Sequence, residues 1–227
     1  MKQLTFLVFL FASNVVFAQE QVKKPVAFGI ETGINIATVR YSPSSIFTPA
    51  DAIKSKTGLR IGILLDIPLA ANFSIETGLA YSKKGVQRRY YIKGISGEGT
   101  YRYNYLEIPL FFKCNISNFV LAAGPYIAPA VGTNLTAMTI DTTFTEKGTI
   151  GKDPASNTLN PFDFGVNIKA GYQAPFGLFF TAQYGLGLTD FLPSTGLVGK
   201  HRVFSVSIGY YFNQSPKPKQ KDDTVER

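Results

Sequence analysis

Eight ionisable residues sit in the middle of strongly apolar segments: Glu31, Arg60, Asp66, Glu76, Glu107, Lys113, Asp163 and Lys169. Charges in such places can pair with one another in an enclosed space, line an ion path, or work as acids and bases. Buried singly they would be prohibitive, so the chain must bring them together or keep them wet. His201, the sole histidine, lies near Ser205 and Ser207 in sequence, and with Glu107 it raises the question of a lipid hydrolase. The spacing argues against one. His201 falls at a strand end beside a loop, where a histidine is ordinarily hydrated, Glu107 falls at mid-strand, and no strained nucleophile motif accompanies them. No catalytic residue is assigned and no enzyme is expected. One His and one Cys supply no metal-ligand cluster, GLGLTD at 185–190 lacks a phosphate-loop context, and no cofactor is implied.

The segment YNYLEIPLFFKC, 103–114, shows what must position these charges. Read at period two, Leu106, Ile108, Leu110, Phe112 and Cys114 share one face, and Tyr105, Glu107, Pro109, Phe111 and Lys113 the other. A strand with lipid on one side and a polar lumen on the other accepts both faces. The same alternation predicts strands at 26–39, 57–67, 73–82, 119–131, 162–173, 178–188 and about 201–212. No Asp, Glu, Lys or Arg falls in the apolar register of any of these strand interiors, where a base at mid-membrane would cost about 2–4 kcal/mol. The connections alternate long and short: 40–56, 83–100, 133–160 and 190–199 read as long loops, with brief turns between. This predicts an all-β fold, an eight-stranded antiparallel up-and-down transmembrane β-barrel. A soluble lipocalin-like barrel would need the reverse orientation. The polar face is rich in Gly, Ala and Ser, which suits a narrow lumen better than a solvated surface.

The ends of the chain and its bulk composition fit export. Lys2, an apolar run from Leu4 to Phe11 and Val16-Phe17-Ala18 before Gln19 predict a signal peptide at 1–18. The barrel is expected over 24–212, followed by a hydrophilic periplasmic tail at 213–227. The single Cys114 excludes an internal disulfide. The +8 net charge gathers in a predicted loop and in the tail, which favours anionic lipid over nucleic acid as a partner. Lys83, Lys84, Arg88 and Arg89 are expected near the outer headgroup level, as contacts for lipid phosphates or lipopolysaccharide. Pro109, Pro125 and Pro129 each remove a ladder donor, a difficulty for a closed barrel.

Three stretches carry a resemblance: YLEIPLFFK at 105–113, AGPYIAP at 123–129 and IETGLAYSKKG at 75–85. With them the mature span resembles the PorT-type outer-membrane β-barrel family of the Bacteroidota. The ending Tyr210-Tyr211-Phe212 is similar to the signal read by the barrel-insertion machinery, although here a tail follows it. The resemblance implies an eight-stranded barrel in the outer membrane and, for some members, partnership with a secretion system. The expected role is a structural or binding scaffold acting through external loops, its lumen closed by a charge network. An accessory of a secretion apparatus and a narrow channel are the alternatives.

Overall fold

The computed structural model describes residues 25–42, 52–92, 95–138, 143–153, 155, 158–193 and 196–212. The predicted signal peptide and the tail lie outside the described residues. The strands are β1 (Ala27–Ser42), β2 (Ala52–Pro68), β3 (Phe73–Ile92), β4 (Ile95–Ile116), β5 (Phe119–Met138), β6 (Thr143–Lys147), β7 (Phe162–Gln173), β8 (Leu178–Gly187) and β9 (Val198–Tyr211). Eight of them close an antiparallel ring, because β1 pairs with β9 and β4 with β5. The ninth, β6, stands outside the ring. It pairs with β5 over Asn134–Met138, above the stretch Phe119–Pro129 where β5 pairs with β7.

The strands of the ring alternate as half-buried strands should, but inside out. Ile63 is 61% exposed and Phe112 64%, whereas Arg60 is 1% exposed and Lys113 2%. The apolar residues form the outer wall and the charges are enclosed. A water-soluble barrel would present the opposite surface, since exposed apolar patches of this extent do not persist in water.

Both chain ends of the ring and its short turns lie at one end of the barrel. In the β4–β5 turn Ser117 adopts φ 57°. In the β7–β8 turn Gly177 adopts φ 103°, and a Cβ there would meet the Tyr211 carbonyl oxygen at 2.4 Å. The opposite end carries the long connections, which are more ordered than their loop-like composition predicts. The segment 83–100 is largely hairpin, with β3 and β4 paired from Lys83↔Asn104 out to Ile92↔Ile95. The segment 133–160 contains the rest of β5 and all of β6. Ser, Thr, Gly and Lys read as loop chemistry, yet in a two-stranded ribbon projecting into water both faces can be polar, so composition cannot mark where the strand ends.

The prolines are absorbed along β4. Pro125 and Pro129 pair with Val166 and Phe162 of β7, and the β4–β5 ladder skips the positions opposite them. The β3–β4 ladder likewise passes from Thr77↔Leu110 to Ala80↔Glu107 without a partner for Pro109. Thr77 Oγ1 donates to the Pro109 carbonyl at 2.7 Å. A register shift between Asn104 and Tyr105 adds a bulge. At Gly124 a Cβ would lie 1.8 Å from the Leu110 carbonyl oxygen, so only glycine lets β5 approach β4 here.

Candidate functional site

The site is the filled lumen. Inward positions of β1–β4 and β7 carry its charges at successive heights, and an eight-stranded ring is narrow enough for side chains to meet across it.

Nearest the short turns, Lys113 Nζ lies 2.9 Å from Asp66 Oδ2 and 3.3 Å from Glu76 Oε2. Lys169 Nζ lies 2.6 Å from Glu76 Oε1. Tyr211 donates its hydroxyl to Glu76 Oε2 at 2.7 Å. The cations also rest on rings, Lys169 over Phe111 at 4.3 Å and Lys113 over Tyr211 at 4.8 Å. Below them Ala27, Leu64, Phe179 and Tyr211 form an apolar floor.

At mid-height Arg60 bridges two carboxylates, with Nε 2.8 Å from Glu31 and Nη1 3.0 Å from Glu107. Asn167 donates to the same Glu107 oxygen at 3.1 Å. On the other side of the lumen a neutral chain joins β9 to β1 and β3. Ser205 donates to Asn35 Oδ1 at 2.8 Å, and Asn35 donates to Ser82 Oγ at 3.0 Å.

Higher still, Lys84 Nζ lies 2.8 Å from Asp163 and 3.7 Å from Glu107. Tyr126 donates to Asp163 Oδ2 at 3.0 Å and Thr189 to Oδ1 at 3.1 Å. Two Lys–carboxylate rungs therefore cross from β3 to β7 with opposite polarity: Glu76 to Lys169 below, Lys84 to Asp163 above.

The outer mouth is closed by rings. Val39, Val86, Tyr103, Tyr105, Tyr126 and Ala128 from the strands meet Leu159 and Phe191 from the long connections. His201 lies under them, stacked on Phe191 at 4.1 Å and 16°. Its Nε2 meets the Tyr105 hydroxyl at 3.1 Å.

All eight charges singled out in the sequence are thus on the inner face and within ion-pair distance of a partner. The lipid-phosphate set divides differently. Lys84 is 2% exposed and belongs to the lumen, and Arg88 shares its inward register. Lys83 and Arg89 keep the outward register, and the Arg89 guanidinium lies 3.9 Å from Glu98. The reason is periodicity: β3 continues unbroken through Lys83-Lys84, so residues of even number from Glu76 onward point inward. Extending the Glu76, Gly78, Ala80, Ser82 register by one step would have found Lys84. His201 also differs from expectation, being 0% exposed beneath the aromatic cap rather than hydrated at a strand end. Its hydrogen bond goes to Tyr105 while Ser205 turns to Asn35, so no Ser–His pair forms between them.

Among solved structures, the attachment invasion locus protein Ail of Yersinia pestis shares 9% identity at a TM-score of 0.46, covering 82% of this chain and 98% of that one. Neisserial surface protein A shares 8% at 0.44, covering 83% and 100%. The outer membrane protein OprG of Pseudomonas aeruginosa shares 10% at 0.41, covering 84% and 97%. No curated protein sequence matches the chain. The profile described as "Outer membrane protein beta-barrel domain" matches residues 17–192, which include β1 through β8. An outward apolar wall, an enclosed lumen and that match together make this chain a member of the outer membrane protein β-barrel domain family.

Proposed function

We propose that the protein is a non-conducting binding scaffold of the outer membrane, anchored by the barrel and acting through what projects from its outer end. The observation that carries this reading is a lumen filled along its height: an apolar floor at Phe179 and Tyr211, ion-pair rungs above it, and an aromatic cap at Phe191 and Tyr103. Paired side chains packed to this depth in an eight-stranded ring oppose the passage of water and ions, which disfavours transport. The ring continues outward into the β3–β4 hairpin and the β5–β6 pair, a surface suited to contact with other molecules. Lys83 and Arg89 on the outer face of that hairpin are placed to meet lipid phosphates. Membership of the PorT-type group, export through a cleaved signal peptide and delivery by the barrel-insertion machinery complete the proposal. A secretion-system protein is the partner class that the PorT resemblance suggests.

Planar-bilayer recording with the refolded full chain tests the closed lumen. No unitary conductance is expected from the native protein. Stable steps in the native protein would replace the scaffold with a channel.

A further inference from the structure

Outside the lumen, one group of charges has no carboxylate partner among the described residues. Arg40 on β1 and Lys200 and Arg202 on β9 all occupy the outward register. Arg40 and Lys200 are directly opposed across the β1–β9 pair, and Arg202 opposes Thr38 one step below. Like charges facing each other on adjacent strands repel. Among the described residues no carboxylate forms a salt bridge with any of the three, whereas Arg60, Lys84, Lys113 and Lys169 in the lumen each have one. Arg202 is held in place by neutral acceptors, its Nη1 donating to the Gly187 and His201 carbonyls at 2.8 Å each. Those bonds orient the guanidinium without neutralising it.

The position of the cluster identifies what neutralises it. One outward step below Arg202, Phe204 opposes Ile36 of β1 and Tyr184 of β8. All three are large, exposed and part of the apolar wall. The cations therefore begin where the wall ends, at the level where an aromatic girdle meets the headgroups. An anion there must sit beside acyl chains. We propose that Arg40, Lys200 and Arg202 bind the phosphate groups of a phosphorylated, acylated lipid of the outer membrane, whose chains lie along Ile36, Phe204 and Tyr184. Arginine and lysine together suit this ligand: the planar fork of Arg202 grips phosphate oxygens, and the flexible Lys200 and Arg40 adapt to the headgroup. The inference rests on the reading that the apolar wall faces lipid, and it is separate from Lys83 and Arg89, which lie on β3.

Native mass spectrometry of the full chain in non-ionic detergent tests it, with a bisphosphorylated diglucosamine lipid as the probe. The wild-type protein should retain one such lipid, and the Arg40→Gln/Lys200→Gln variant should lose occupancy on the order of tenfold. Lys147→Gln on the exposed β6 should stay within about twofold, and Arg40→Lys/Lys200→Arg should behave as wild type. The dephosphorylated lipid should be poorly retained by all of them, and free pyrophosphate should be a weak ligand. Heat-modified gel mobility confirms that each variant is folded. Undiminished retention by Arg40→Gln/Lys200→Gln overturns the site. Equal retention of the dephosphorylated lipid overturns the phosphate chemistry, and tight binding of pyrophosphate alone overturns the lipid as its source. A wild-type chain that is soluble and monomeric without detergent would instead refute the orientation on which the proposal rests.

Discussion

The two rungs that join β3 to β7 use the same residue classes yet differ in how they are supported. In the lower rung Glu76 is the hub, accepting from Lys113, Lys169 and Tyr211. In the upper rung Lys84 is shared between Asp163 and the more distant Glu107, and Asp163 keeps hydroxyl donors from Tyr126 and Thr189. Removing the lower hub strands Lys169 and leaves Lys113 with Asp66 alone. Removing Lys84 strands a carboxylate that still has two neutral donors. A buried charge is tolerated through the number of partners it keeps, so the two rungs should fail to different degrees.

Glu76→Ala should be the most damaging single change, costing about 3–5 kcal/mol, because Lys113 and Lys169 lose their shared partner inside the lumen. Urea unfolding of the barrel in detergent measures this. Lys84→Met should cost less, about 2–3 kcal/mol, since a buried carboxylate retains hydrogen bonds. No loss of stability with Lys84→Met would return that lysine to the lipid headgroups. Pairing it with Asp163→Asn should recover part of the loss, and strict additivity would show that the upper rung carries no coupling.

At the mouth the same comparison predicts a smaller effect. His201→Phe keeps the stacking on Phe191 and removes one hydrogen bond to Tyr105, so about 1 kcal/mol is expected in the same unfolding assay. A loss as large as that of Glu76→Ala would mean that the cap, not the rungs, dominates the lumen. Smallest of all should be Arg89→Gln. Its ion pair with Glu98 is long and exposed, and the unfolding midpoint should hardly move.

The same contrast explains how far the sequence could be read. Strand interiors such as 103–114 declare both faces, because lipid demands large apolar residues at every second position. The lower rung was legible for that reason: Glu76, Lys113 and Lys169 stand among Ile75, Phe112 and Ile168. Above the membrane that demand ends. Lys84 follows another lysine in a segment whose outward neighbours are polar, so its inward direction is recorded only in the register carried up from Glu76. His201 was misread for a related reason. Its neighbours in sequence suggest a strand end in water, and the ring that buries it, Phe191, arrives from a connection whose path no periodicity encodes. The cations at Arg40, Lys200 and Arg202 acquire meaning only when β1 and β9 close the ring and set two of them face to face.

The central claim is that the apolar face touches lipid and the charged face is enclosed. The chain contains no tryptophan, so a single introduced indole reports without background. Ile63→Trp and Phe111→Trp, each refolded into vesicles of brominated-acyl lipid, place that reporter on the two faces of the wall. The account predicts strong quenching at position 63 and little at position 111. Little quenching at 63 together with strong quenching at 111 would contradict it.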